Sequence, residues 1–123
     1  MINDNFLNGM ASLAGGQSYT LPSHLAFGST TGTLTSADLI TSGEFDRNAV
    51  STPVVATNVV KFIGSRSSVE GDNNYINVIG FHNSGTAYSS GNLQTNFLVP
   101  SLLHTTSFDI EVEFWISFNR STA

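Results

Sequence analysis

The sequence predicts a mainly β fold: an antiparallel β-sandwich, jelly-roll-like, with a short N-terminal helix. Three observations lead there. Residues 108–119 place Phe108, Ile110, Val112, Phe114, Ile116 and Phe118 at every second position, the period of a strand with one buried face. Six or seven such short runs recur along the chain, separated by Gly, Asn, Ser and Pro, the spacing of strands joined by tight turns. Only residues 3–14 repeat their apolar side chains at helical spacing.

In that first segment Phe6, Leu7, Met10 and Leu13 share a helical stripe. Asn3 is placed to cap the start, Asp4 favours the first turn, and Gly15-Gly16 ends the helix. Residues 1–16 are read as a helical arm and 17–123 as one β-sandwich domain. So short a helix is marginal alone and must pack on its own sheet or a neighbouring subunit. After a turn at Pro22, residues 24–28 read as a strand and 29–35 as a polar loop. Residues 36–40 read as a single helical turn capped by Ser36 and ended by Gly43. Residues 45–56 read as a strand weakened at Pro53, as on an edge or at a bulge. Thr57-Asn58 is a hairpin turn, and 59–65 the returning strand. A loop at 70–74 precedes a strongly apolar strand at 75–82, which turns at Asn83-Ser84-Gly85. Tyr88 to Asn92 is a second polar turn, 93–99 a strand closed by Pro100, and 101–106 the connection to the last strand.

The 123 residues are 40% hydrophobic but only 11% charged, less than half the usual charged share of about 25%. Ser, Thr and Asn fill the gap at roughly a third of the chain. Net charge is −5, and the four cations, Arg47, Lys61, Arg66 and Arg120, form no run. Phosphate neutralisation dominates nucleic-acid affinity, so nucleic acid is not an expected partner. The absence of cysteine excludes disulfides and thiolate metal sites. No apolar run reaches the about 20 residues of a membrane helix, and no export signal precedes the first segment. The expected chain is soluble, unexported and not membrane-bound.

Chemistry-bearing groups are sparse. His24, His82 and His104 lack any paired spacing, and no metal is expected on them. Glu70, Asp72, Asn73 and Asn74 offer oxygens around Gly71 but not a calcium-loop pattern, so a solvated loop is the reading. Glu44 and Arg47 are placed to pair or to hold a turn. Asp109, Glu111 and Glu113 line one strand face and are expected in solvent. No nucleophile elbow, phosphate loop or dinucleotide fingerprint occurs. The expectation is no catalytic residue, no cofactor and no enzyme. Trp115 interrupts the polar face of the last strand. It is read either as packed under a loop or the helix, or as an interface anchor, since tryptophan is enriched at binding hot spots.

The order of segments then matters. His-Leu-Ala-Phe-Gly-Ser-Thr-Thr-Gly-Thr-Leu-Thr at 24–35 is followed by Gly-Glu-Phe-Asp-Arg-Asn at 43–48 and Val-Val-Lys-Phe-Ile-Gly at 59–64. Tyr-Ile-Asn-Val-Ile-Gly-Phe-His-Asn at 75–83, Gly-Asn-Leu-Gln at 91–94 and the alternating last strand complete it. Over residues 25–119 this resembles small β-rich virion proteins of tailed bacteriophages. The resemblance implies a structural component with no catalytic residues. Without a following fibre, the free-standing domain is similar to capsid decoration, or cement, proteins bound to the head exterior. The implied partners are the major capsid protein and copies of itself, as a dimer or trimer. Phe6, Leu7, Met10 and Trp115 are the expected interface residues, and the arm is expected to be dispensable for folding. A tail or neck accessory such as a fibre adaptor is the alternative. A carbohydrate-binding module or small hydrolase is a third class, with Trp115 and the tyrosines as the available aromatics.

Overall fold

The computed structural model describes residues 1–85 and 93–120, so the turn expected at Tyr88 to Asn92 lies outside the described residues. The fold is mainly β, with two antiparallel sheets in a sandwich-like arrangement and one short helix. The helix α1 is Asp4–Ala14, and the strands are β1 His24–Gly28, β2 Glu44–Ala49, β3 Val54–Ala56, β4 Val59–Arg66, β5 Asn74–His82, β6 Leu93–His104 and β7 Ile110–Ser117. One sheet has the order β2-β1-β5-β6, the other β3-β4-β7. This four-plus-three order does not establish the jelly-roll winding.

The core lies between the sheets. Leu25, Phe27, Phe62, Ile76, Ile79, Phe81 and Phe114 are buried there, each contributing about 1.5–3 kcal/mol through its burial. Phe114 is the centre of an aromatic group, with ring centroids 5.7 Å from Phe81, 5.9 Å from Phe62, 6.0 Å from Phe97 and 6.1 Å from Phe6. The sheets approach closely at Gly64, where an added Cβ would fall 2.7 Å from the Leu25 side chain.

The arm belongs to this packing. Ile2 bridges Thr95, Asn3 N–H donates to the Gln94 carbonyl (2.9 Å), and Asn96 N–H donates to the Met1 carbonyl (3.0 Å), so the first residues cover the outer edge of β6. Phe6 is buried edge-on to Phe114 and Tyr19. Gly9 lies flat under the Tyr19 ring, with room for no side chain. Residues 1–16 thus shield a sheet edge and fill part of the core.

Four local expectations are corrected. Asn3 stands at the N-cap of α1, but its side chain makes no cap bond; its amide instead donates to the Asp38 carbonyl at 3.0 Å. Residues 36–40 form one hydrogen-bonded turn that goes no further: Asp38 N–H donates to the Thr35 carbonyl at 3.2 Å and the Asp38 carboxylate accepts from the Thr35 N–H (2.9 Å) and hydroxyl (2.7 Å), so Thr35 and not Ser36 stands at its start. The carboxylate bond to the Thr35 N–H is the reach-back half of a capping box. The strand expected over 45–56 is two strands, β2 and β3, in different sheets; the chain crosses between layers at 50–53. Pro100 does not close β6. The register passes from Ile76 opposite Leu102 to Val78 opposite Leu98, so Asn77 faces a three-residue bulge with Pro100 at its middle. An edge strand tolerates a proline there, because its N–H need not join a ladder.

Candidate docking surfaces and buried polar clusters

β7 keeps its alternation. Phe114 points into the core, while Glu111, Glu113 and Trp115 are exposed on the outer face. Trp115 is directly opposite Lys61 on β4, which in turn is opposite Val54 on β3. The Lys61 ammonium lies 4.1 Å from the indole centre, and Trp115 Nε1 donates to Glu113 Oε2 at 2.7 Å. Trp115 is 54% exposed and Val54 46%. Neither a described loop nor α1 covers this row. The row is a broad aromatic plate held by one cation and one carboxylate.

The other expected interface residues divide. Leu7 is exposed on α1 and Met10 half-buried, whereas Phe6 is held in the chain's own core. The helical period marks one apolar stripe, but it cannot distinguish a stripe that meets its own sandwich from one that meets a partner.

A feature the sequence did not reveal lies between β6 and β7. Because a three-stranded sheet faces a four-stranded one, β6 extends past the opposite layer. Phe6 fills that side near the start of β6. Towards the bulge an apolar groove of about 350 Å³ stays open, walled by Val99, Leu102, Ile110 and Val112, with Ile76 and Ile79 beneath. Asn77 fixes its rim: its amide donates to the Ser29 carbonyl at 2.8 Å and its oxygen accepts from the Ser101 hydroxyl. The only available sequence signal was Pro100 within an apolar run.

Two polar clusters are buried. Under the 29–43 loop, Arg47 Nε and Nη2 donate to the two Glu44 oxygens, each at 2.7 Å, and Nη1 donates to the Ser84 carbonyl at 2.9 Å. The Glu44 and Arg47 side chains are 2% and 4% exposed. His82 Nε2 lies 2.8 Å from the Thr41 hydroxyl and 4.0 Å from Glu44. The expected Glu44–Arg47 pair therefore forms, within β2, while the Thr41–His82 contact ties the 29–43 loop to β5. His24 and His82 are opposite one another on β1 and β5. The His24 ring meets the Ser23 hydroxyl at 2.8 Å, and burial, then the Arg47 charge, lowers its pKa.

At the other end Arg66 is enclosed. Its Nε donates to Asp46 at 2.7 Å, its Nη2 to Asp72 at 3.1 Å, and its Nη1 lies 2.6 Å from His104 Nδ1. Burial alone would raise the Asp72 pKa; bonds from the Asn74 N–H and from Arg66 outweigh it and hold the carboxyl below its ordinary value. In the same loop Glu70 is engaged with Ser67 and Asn48. Among the described residues no group of three His, Asp or Glu side chains is arranged to hold a metal ion. No helix is long and apolar enough to cross a membrane.

No protein-family model, curated protein or solved structure matches this chain.

Proposed function

We propose that this chain is a structural protein that acts by docking, a capsid decoration protein of a tailed bacteriophage bound to the outside of the head and stabilising contacts between capsid subunits. The observation that carries the docking reading is Trp115, half-exposed on a flat sheet face with Val54 and Lys61 in line beside it. Partly exposed tryptophan on a rigid sheet is the residue type that dominates interface energies. The low charged fraction of 11% suits a surface that meets other protein. The placement on a phage head follows from the resemblance of the segment order to tailed-phage virion proteins. Several modest contacts per oligomer act together, so attachment is tight without any single strong one.

A Trp115→Ala variant tests the reading. Removing the indole leaves the core intact and costs the fold the exposed cation–π contact, about 0.5–1 kcal/mol, and a solvent-exposed bond to Glu113. Loss of an anchor costs 2 kcal/mol or more, so affinity for undecorated particles in a co-sedimentation assay is expected to fall by about 30-fold. Unchanged co-sedimentation of this variant would remove the Trp115 face from the interface.

A further inference from the structure

We infer that the outer edge of β7 and the adjoining groove form an acceptor for one extended strand of a partner protein, whose side chains alternate basic and apolar. This deepens the docking reading and rests on it.

β7 ends the three-stranded sheet, and among the described residues no strand pairs with its outer edge. A strand added there would complete a fourth place in that layer and lie over β6, above the open groove. Residues opposite each other on neighbouring strands share a face. Side chains opposite Ile110 and Val112 would therefore enter the groove, whose walls are Val99, Leu102, Ile110 and Val112. Those opposite Glu111 and Glu113 would stand beside two exposed carboxylates. The groove selects apolar residues at alternate positions, and the carboxylates select lysine or arginine between them. A second copy of β7 fits poorly, since its own Glu111 and Glu113 would add like charges to the same face. Main-chain hydrogen bonds would supply affinity and the alternating side chains specificity, as in strand addition generally.

The probe is the capped peptide Lys-Ile-Lys-Phe-Lys-Val-Lys, titrated into the isotope-labelled full chain at physiological salt and followed by amide and methyl NMR. Shifts confined to β7 and to the methyls of Val99, Leu102, Ile110 and Val112 are expected. Methylating alternate peptide nitrogens, or replacing the lysines by glutamates, is expected to weaken binding by at least about tenfold each. Absence of binding, shifts centred elsewhere, equal binding of the N-methylated peptide, or dimerisation through β7 would each overturn the inference. No particle enters this titration, so its failure is separate from failure of the docking reading, which the Trp115→Ala co-sedimentation scores.

Discussion

Phe114→Ala is expected to lower the unfolding free energy by about 4 kcal/mol, within the range for truncating a buried phenylalanine. The position is unusual in how many partners it serves. Its ring is within 6.1 Å, centroid to centroid, of Phe62, Phe81, Phe97 and Phe6. The first three come from β4, β5 and β6, in both layers, and Phe6 comes from the helix. Rigid sheets on either side cannot collapse into the space left, so the cavity contribution stays large. Against a typical total of 5–15 kcal/mol, that loss leaves a marginal fold. Urea denaturation followed by circular dichroism measures it. A change below about 1 kcal/mol would mean that Phe114 is not the centre of the core.

Arg66→Met is expected to be the second-largest effect, about 3 kcal/mol. Removing one partner of a buried ion pair strands the others. Here Asp46 and Asp72 lose their shared cation, and His104 loses its contact. The cost is placed at the low end for a buried pair because Asp72 is 42% exposed and water can reach it. The pair also has a pH signature. The Asp72 pKa is lowered in the folded chain, and Thr35 lowers that of Asp38 through its N–H and hydroxyl. A depressed carboxyl pKa stabilises the fold above the unfolded value, near 3.9, and that stability is lost as pH falls through the folded value. The native chain is therefore expected to lose stability below about pH 4, and Arg66→Met to lose less over the same interval, because its Asp72 is no longer held down by a cation. Parallel denaturation series at pH 7 and pH 3 measure both. Equal acid sensitivity of the two proteins would contradict the assignment.

Much of this architecture was legible in the sequence wherever one local pattern decided it. The alternation of Ile110 to Ile116 produced β7, the apolar run at 75–82 produced β5, and Gly15-Gly16 ended α1. Thr57-Asn58 marked the hairpin, with Thr57 at φ 54°. Illegible were the features set by tertiary position. Residues 45–56 read as one strand because nothing local distinguishes a strand that stays in its sheet from one that crosses to the other at 50–53. Pro100 read as a terminator because its neighbours do not reveal that β6 lies at an edge. The turn at 36–37 starts at Thr35 and not at Ser36, because the Asp38 carboxylate reaches back to the Thr35 N–H and hydroxyl, and two adjacent hydroxyl residues are equally good starts in the sequence.

The candidate docking surfaces divide in the same way. Trp115 was legible as a break in a polar face, and it is exposed. Phe6 was equally conspicuous, yet it packs inward, because the space beside Phe114 needs a ring and α1 supplies it. The groove's one sequence signal was Pro100 within an apolar run, which does not by itself indicate an opening. The groove arises from a mismatch between a four-stranded and a three-stranded layer, which no single segment encodes. The buried Arg66 cluster was likewise invisible, since Asp46, Arg66, Asp72 and His104 meet only once both layers form.

The most direct measurement is electron microscopy of purified particles with this chain located in the density. The expected result is many copies spread over the outer surface of the head, each with the Trp115 face of the three-stranded sheet turned against capsid protein. Density for the chain at the tail alone, its absence from the particle, or a Trp115 face open to solvent in every copy would contradict the central claim.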